Sequence, residues 1–191
     1  MRVVAGTYKG RRLAAPPGRR TRPTADRVRE ALFSRIVALE GEPSDLSVLD
    51  LYAGSGALGI EAISRGAAHS TFVESDRRAC ETVRRNLAAL EAQDRASVVC
   101  SDVRGAVRRG LCGEPFGLLF LDPPYRIRKS EVRGLVETLA ARGALATGAL
   151  VVWEHDAASA AEWPEGFEDL GSRVYGSARV SVARFADSRE A

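Results

Sequence analysis

The chain has 191 residues, enough for one α/β domain with a small appendage but short for two full domains. Hydrophobic residues at 45% and charged residues at 28% are ordinary for a globular protein, and no apolar run nears the ~20 residues of a membrane-spanning helix. Net charge is +3, yet residues 1–35 carry ten Lys or Arg against Asp26 and Glu30, leaving +8 there and −5 beyond, the electrostatic footprint of a nucleic-acid contact.

In chain order, Val3-Val4-Ala5 and Arg12-Leu13-Ala14 flank Gly6-Thr7-Tyr8-Lys9-Gly10, which predicts two short strands around a Gly-bounded turn and then a mobile Pro/Gly/Arg loop through Pro23. The cations expected to meet phosphate are Arg2, Lys9, Arg11, Arg12, Arg19, Arg20, Arg22 and Arg27, the last two flanking a helix start. Met1 to Gly6 lacks the apolar core of a signal peptide, and Cys80, Cys100 and Cys112 are odd in number without metal-ligand spacing. A reducing cytoplasm is therefore expected. Thr24 is placed to cap a helix over 24–40, in which Val28, Ala31, Leu32, Ile36 and Leu39 share a face until Gly41 and Pro43.

From Leu46 strands and helices alternate. Leu46–Leu51 reads as a strand, 57–65 as a helix closed by Gly66, and Ser70–Glu74 as a strand with an acidic end. Asp76 caps a helix bearing Cys80, Val83, Leu87 and Leu90 on one side; Ala96–Cys100 and the apolar Phe116–Leu121 are further strands. Ser130 is expected to cap a helix that buries Val132, Leu135, Val136 and Leu139, and Ala149–Trp153 supplies a fifth strand. Phe167–Val174 and Arg179–Phe185, joined at Gly176, read as an antiparallel edge. The expected fold class is doubly wound α/β, divided into a basic extension (1–23), a main domain (24–185) and a frayed tail (186–191).

Asp50-Leu51-Tyr52-Ala53-Gly54-Ser55-Gly56-Ala57-Leu58-Gly59 joins a predicted strand to a predicted helix, where glycines let the backbone approach a ligand closely. Glu74 ends the next strand, where an acid can grip ribose hydroxyls. The Gly54, Gly56, Gly59 spacing also fits a dinucleotide site, but a carboxylate at Asp50 repels a pyrophosphate and attracts a sulfonium or ammonium group. The plain alternative is that Asp50 caps the loop. Asp102, just before Val103 and a helix, is placed for an adenine amino group, or for a simple N-cap.

Asp122-Pro123-Pro124-Tyr125 follows the most apolar strand at the carboxyl end of the sheet. The lone pair of an exocyclic base amine is delocalised into its ring; a carboxylate (Asp122) and a carbonyl (Pro123) accepting its two hydrogens favour the pyramidal nitrogen that attacks. The prolines fix both acceptors in advance, and Tyr125 offers a face for stacking the base.

The order Asp50…Gly54-Ser55-Gly56, Glu74, Asp102, Asp122-Pro123-Pro124-Tyr125 resembles the class I Rossmann-like methyltransferases that modify exocyclic amines. That resemblance implies a seven-stranded, mostly parallel sheet with an antiparallel last strand. Arg2-Val3-Val4-Ala5-Gly6, Lys9-Gly10-Arg11-Arg12-Leu13 and the run Thr21-Arg22-Pro23-Thr24-Ala25-Asp26-Arg27 through Phe33 resemble the bacterial 16S ribosomal RNA guanine-N2 methyltransferases of the RsmD type. The resemblance implies S-adenosylmethionine as donor, S-adenosylhomocysteine as product and no metal. It implies the methionine moiety near Asp50, Gly54 and Gly56, with Tyr52, Ala53 and Ser55 completing the loop; ribose on Glu74 beside Ser75; adenine near Asp102 and Val103; and the guanine amine at Asp122, Pro123 and Tyr125. The implied substrate is 16S ribosomal RNA in the small subunit or its assembly intermediate, away from any membrane and met by a monomer. A DNA adenine or cytosine amino-methyltransferase, a nicotinamide-dependent oxidoreductase and a non-catalytic RNA-binding assembly factor are the rival readings. His155, at a strand end, is set aside as structural; His69 has no visible partner; Trp163 and Phe167 read as packing residues.

Overall fold

The apolar runs become seven strands: β1 (Ser47–Leu51), β2 (His69–Glu74), β3 (Ala96–Cys100), β4 (Phe116–Leu121), β5 (Leu145–Asp156), β6 (Phe167–Tyr175) and β7 (Ala178–Phe185). The helical patterns become α1 (Thr24–Glu40), α2 (Ala57–Ser64), α3 (Arg77–Ala89), α4 (Val103–Arg109) and α5 (Lys129–Ala141). This is a computed structural model describing residues 1–16, 24–124 and 126–186, with only the backbone of Thr24 and Ala25. The strands form one sheet in the order β3-β2-β1-β4-β5-β7-β6. β1 to β5 run parallel, and β7 is antiparallel to both β5 and β6. Strand order reverses between β1 and β4, the point where open α/β sheets leave a crevice for ligands.

Alternation within the strands sets which helix covers which face. Leu119, Leu121, Val151 and Trp153 pack with α4 and α5. Leu118, Phe120, Val152 and Val180 point the other way and meet Leu32, Phe33 and Ile36 of α1; the Phe33 and Phe120 rings lie 5.6 Å apart. Further along that face, Phe72 packs with Ile60 and Ile63 of α2 and Val83 and Leu87 of α3. Burying such a side chain contributes about 1.5–3 kcal/mol, and these layers fix the strand ends relative to one another.

Several expectations are corrected by tertiary pairing. β5 runs from Leu145 to Asp156 instead of 149–153, because it pairs with β4 from Phe116↔Leu145, shifts register, and continues against β7 to Asp156↔Ala178. Ser130 does not cap its helix: α5 opens at Lys129 after Arg128, without a side-chain cap. His69 does have a partner, its Nε2 lying 3.0 Å from the Ser97 hydroxyl. The two predicted N-terminal strands reduce to one bridge, Arg2↔Arg12, with the backbone bonds Val3 N–H to Arg11, Gly10 N–H to Val3 and Leu13 N–H to Met1.

That N-terminal turn docks tightly on the domain. Val3 and Leu13 are buried in the cluster formed by α2 and α3. The fully buried Glu61 carboxylate accepts from the amides of Val4 and Ala5 at 2.8 and 2.9 Å and pairs with Arg65 and Arg29. Gly6 sits at φ +78°, where an added Cβ would lie 1.8 Å from the carbonyl oxygen of Ser64; only glycine permits this approach. The mobile loop expected through Pro23 lies, from residue 17 onward, outside the described residues, as do residues 187–191 of the predicted tail.

Candidate active site

The glycine loop leaves β1 at Leu51 and enters α2 at Ala57. Tyr52 takes φ +64°, a left-handed conformation rare for a bulky residue, and Gly54 and Gly56 follow at +57° and +77°. This coiled path turns successive peptide groups inward: Ala53 N–H donates to Val73, Gly56 N–H to Ala53, and Ile60 N–H to Gly56. Gly56 cannot be larger without pressing on Val83 and Phe72, about 3.1 and 3.2 Å from its missing Cβ. Asn86 of α3 donates to the Ser55 carbonyl at 3.0 Å and also holds both backbone groups of Ala14, joining the loop to the N-terminal segment.

Asp50 is buried, and its Oδ2 accepts the Gly59 amide at 3.0 Å, the loop-anchoring arrangement held as the plain alternative. Burial pushes its pKa up to about 8, opposed by the Gly59 bond and reinforced by the charges of Asp122 and Glu74. Glu74 accepts from Gly54 N–H at 2.9 Å through one oxygen and from the amides of Ser75 and Asp76 at 2.7 and 2.9 Å through the other. Oε2, with one of its two lone pairs used, can still accept a hydroxyl, whereas Oε1 is already taken up by the two amides. Asp102 is the N-cap of α4, accepting Gly105 N–H at 2.9 Å, with its side chain otherwise exposed and Val103 buried behind it. Burial pushes the Tyr52 phenol up to about 12, and the charges of Arg104, Asp102 and Glu131 act on it, which puts the start of α4 next to the loop.

Asp122, Pro123 and Pro124 leave β4 directly beside this loop, because Leu51 of β1 pairs with Leu121 of β4. All three are partly buried, and Ile127 N–H closes the turn on the Pro124 carbonyl at 2.9 Å. Tyr125 lies outside the described residues. One residue that sequence reasoning passed over joins them: Glu154 of β5 directly follows Trp153, the partner of Leu121, as Asp122 directly follows Leu121. Burial and the Asp122 charge push Glu154 up to about 7. Glu154 carries a signal legible in the sequence, an acid directly after the apolar run that ends at Trp153, as Glu74 follows Val73. His155 is buried, with Nε2 2.8 Å from the Ser181 hydroxyl and Nδ1 against Asp156 and Ser159. Trp163 packs edge-on to Trp153, and Phe167 lies 5.0 Å from Phe185.

The strand ends thus gather Asp50, Glu74, Asp122 and Glu154 around a glycine turn. Among the described residues, none of Asp50, Glu74 and Glu154 forms an ion pair with a cation. Such a donor set fits a cationic ligand carrying hydroxyls and amines and opposes a pyrophosphate. A separate groove of about 450 Å³ between α1 and β6, lined by Arg35, Leu170 and Arg173, holds none of these carboxylates.

Of the cations expected to meet phosphate, Arg2, Lys9, Arg11, Arg12 and Arg27 are exposed; Arg19, Arg20 and Arg22 lie outside the described residues. Arg11 also donates to the Ala89 carbonyl at the end of α3. No helix among the described residues is long and apolar enough to cross a membrane.

A family model described as conserved hypothetical protein 95 matches residues 1–184. The chain is 39% identical to ribosomal RNA small subunit methyltransferase D of Escherichia coli (strain K12) over 160 residues, covering 82% of this chain and 75% of that one. It is 39% identical to YlbH of Bacillus subtilis (strain 168) over 187 residues, covering 95% and 97%. The solved structure of yhhF from Escherichia coli superposes with a TM-score of 0.83 at 32% identity, covering 97% of this chain and 98% of that one.

Proposed function

The chain belongs to the conserved hypothetical protein 95 family, and from that premise we propose that it methylates the exocyclic N2 of a guanine in 16S ribosomal RNA during small-subunit assembly. It is an S-adenosylmethionine-dependent ribosomal RNA methyltransferase. The DNA-modifying and nicotinamide readings are not favoured by its relatives. The reading places the enzyme in the cytoplasm as a monomer, with residues 1–23 acting as its RNA-contacting extension.

One observation carries the site assignment: the β1–β4 register sets the glycine loop and the Asp122-Pro123-Pro124 turn side by side at the switch point. Bound there, S-adenosylmethionine supplies an electrophilic methyl group on a positively charged sulfur. Gly54 and Gly56 let the backbone approach it, and Asp50 shapes the loop from beneath. Glu74, with Ser75 beside it, would accept ribose hydroxyls, and Asp102, with Val103 as an apolar floor, an adenine amine. Asp122 and the Pro123 carbonyl would hold the two hydrogens of the guanine amine, so that its lone pair points along the line of attack. Tyr125 would stack against the base, which must leave any helix to enter, at a cost of a few kcal/mol. The proton lost after transfer passes from the nitrogen to Asp122 or to water.

The test is nucleoside analysis of under-methylated small subunits incubated with labelled methyl donor. N2-methylguanosine in 16S ribosomal RNA is expected. Label at another base or atom would refute the guanine-N2 assignment, and label confined to added DNA would refute the RNA substrate.

A further inference from the structure

We propose that Glu154 is a specificity-determining residue, whose carboxylate accepts the N1–H of the same guanine that Asp122 holds by its N2 amine. The inference rests on the guanine-N2 reading and deepens it.

Register supplies the geometry. Phe120↔Val152 and Leu121↔Trp153 pair in order, so Asp122 and Glu154 each directly follow the last paired rung, and the Asp122 charge acts on Glu154. Glu154 pairs in turn with Val180 of β7, and Val180 packs on the α1 side of the sheet. The glutamate therefore takes the same face as Asp50, whose rung partner Phe120 also lies on that side. It is partly buried, and among the described residues its carboxylate accepts no hydrogen bond and pairs with no cation, while the adjacent Asp122 raises the cost of its charge. A carboxyl withdrawn from water beside a second carboxyl destabilises a fold unless a ligand brings it a donor.

Guanine brings them in a suitable row. Its Watson–Crick edge carries the N2 amine and, one ring atom away, N1–H. Asp122 and the Pro123 carbonyl satisfy the amine, which leaves N1–H to a second acceptor a strand spacing away, about 4.8 Å between neighbouring backbones. Adenine and 2-aminopurine both have a bare lone pair at N1. Facing an ionised Glu154, that lone pair meets another acceptor and the pocket rejects the base. The amine-binding tetrapeptide alone makes no such distinction, since 2-aminopurine presents the same 2-amino group.

The experiment uses small subunits reconstituted with 16S ribosomal RNA carrying either guanosine or 2-aminopurine riboside at the methylated position, assayed above about pH 8, where Glu154 is ionised. Wild-type enzyme is expected to prefer guanosine in kcat/KM by on the order of tenfold to a hundredfold, the usual discrimination of one well-formed base contact. Glu154→Gln, whose amide both donates and accepts, is expected to bring that ratio to within about threefold, by slowing guanosine and accelerating 2-aminopurine. An unchanged ratio overturns the inference. Glu154→Leu guards against a merely structural effect: it should slow guanosine and flatten the ratio while its melting temperature stays at or above that of wild type, since a buried like charge has been removed. A Leu variant that keeps the wild-type ratio also overturns the inference. Wild-type enzyme that makes no N2-methylguanosine on the guanosine particle refutes the underlying reading instead, so the two failures are distinguishable.

Discussion

Asp122 and Asp50 are both carboxyls at strand ends, yet they answer to different tests. Asp122 sits outside the glycine loop, just past the end of the adjacent strand, so Asp122→Ala should abolish turnover while leaving S-adenosylhomocysteine affinity within about twofold; a normal rate would refute its role. Asp50 has a folded pKa near 8, far above the ~3.9 of an unfolded aspartate. The folded state then binds the extra proton between those values, so this contribution is fully present below about pH 4 and is lost as pH rises through 8. Asp50→Asn keeps an acceptor for Gly59 N–H, and its unfolding free energy in urea should decline less than that of wild type from pH 5 to about 8.5; parallel declines would reject the assignment. At this scale the sequence displayed Glu74, Asp102 and Asp122 through their positions just past apolar strands. It did not distinguish an Asp50 that faces a ligand from one that faces a backbone amide, because both need a carboxylate at the same position. Glu154 escaped because its importance comes from a neighbour 32 residues away, and only pairing of β4 with β5 brings the two together.

Among the elements, β4 was readable because it is buried on both faces and apolar throughout. The bounds of β5 were not, since Leu145 and Glu154 owe their strand conformation to partners on β4 and β7. The N-terminal turn carries the strongest dependence on a single side chain. Glu61 is fully buried and serves two amides and two guanidinium groups; Arg29 in turn donates to the Arg2 carbonyl and to Asp26, tying the turn to α1. Glu61→Ala strands these partners without an acceptor and should cost about 3–5 kcal/mol in urea unfolding, with Glu61→Gln recovering part of it. A cost below about 1 kcal/mol would mean that water reaches the site. Nothing in the sequence singled out Glu61, which reads as an ordinary solvent-facing helix position between Ile60 and Ala62.

Across the whole molecule, charge is divided: cations concentrate in the first part of the chain, and carboxylates line the strand ends where catalysis is proposed. Replacing Arg11 and Arg12 together by Ala should weaken RNA binding and make the slope of log K against log salt shallower by about 1.5, since each lost phosphate contact withholds one released counterion. An unchanged slope would remove the turn from the RNA path. The chain order of the final strands has another result. β7 is synthesised after β6 yet lies between it and β5, so β6 has no neighbour and β5 keeps an open, valine-rich margin until Ala178–Phe185 is made. Unpaired strand margins recruit strands from other molecules. A nascent copy stalled before Ala178 therefore offers Val151 and Val152 to its neighbours on the polysome, and the finished protein hides this adhesive edge with its own last strand.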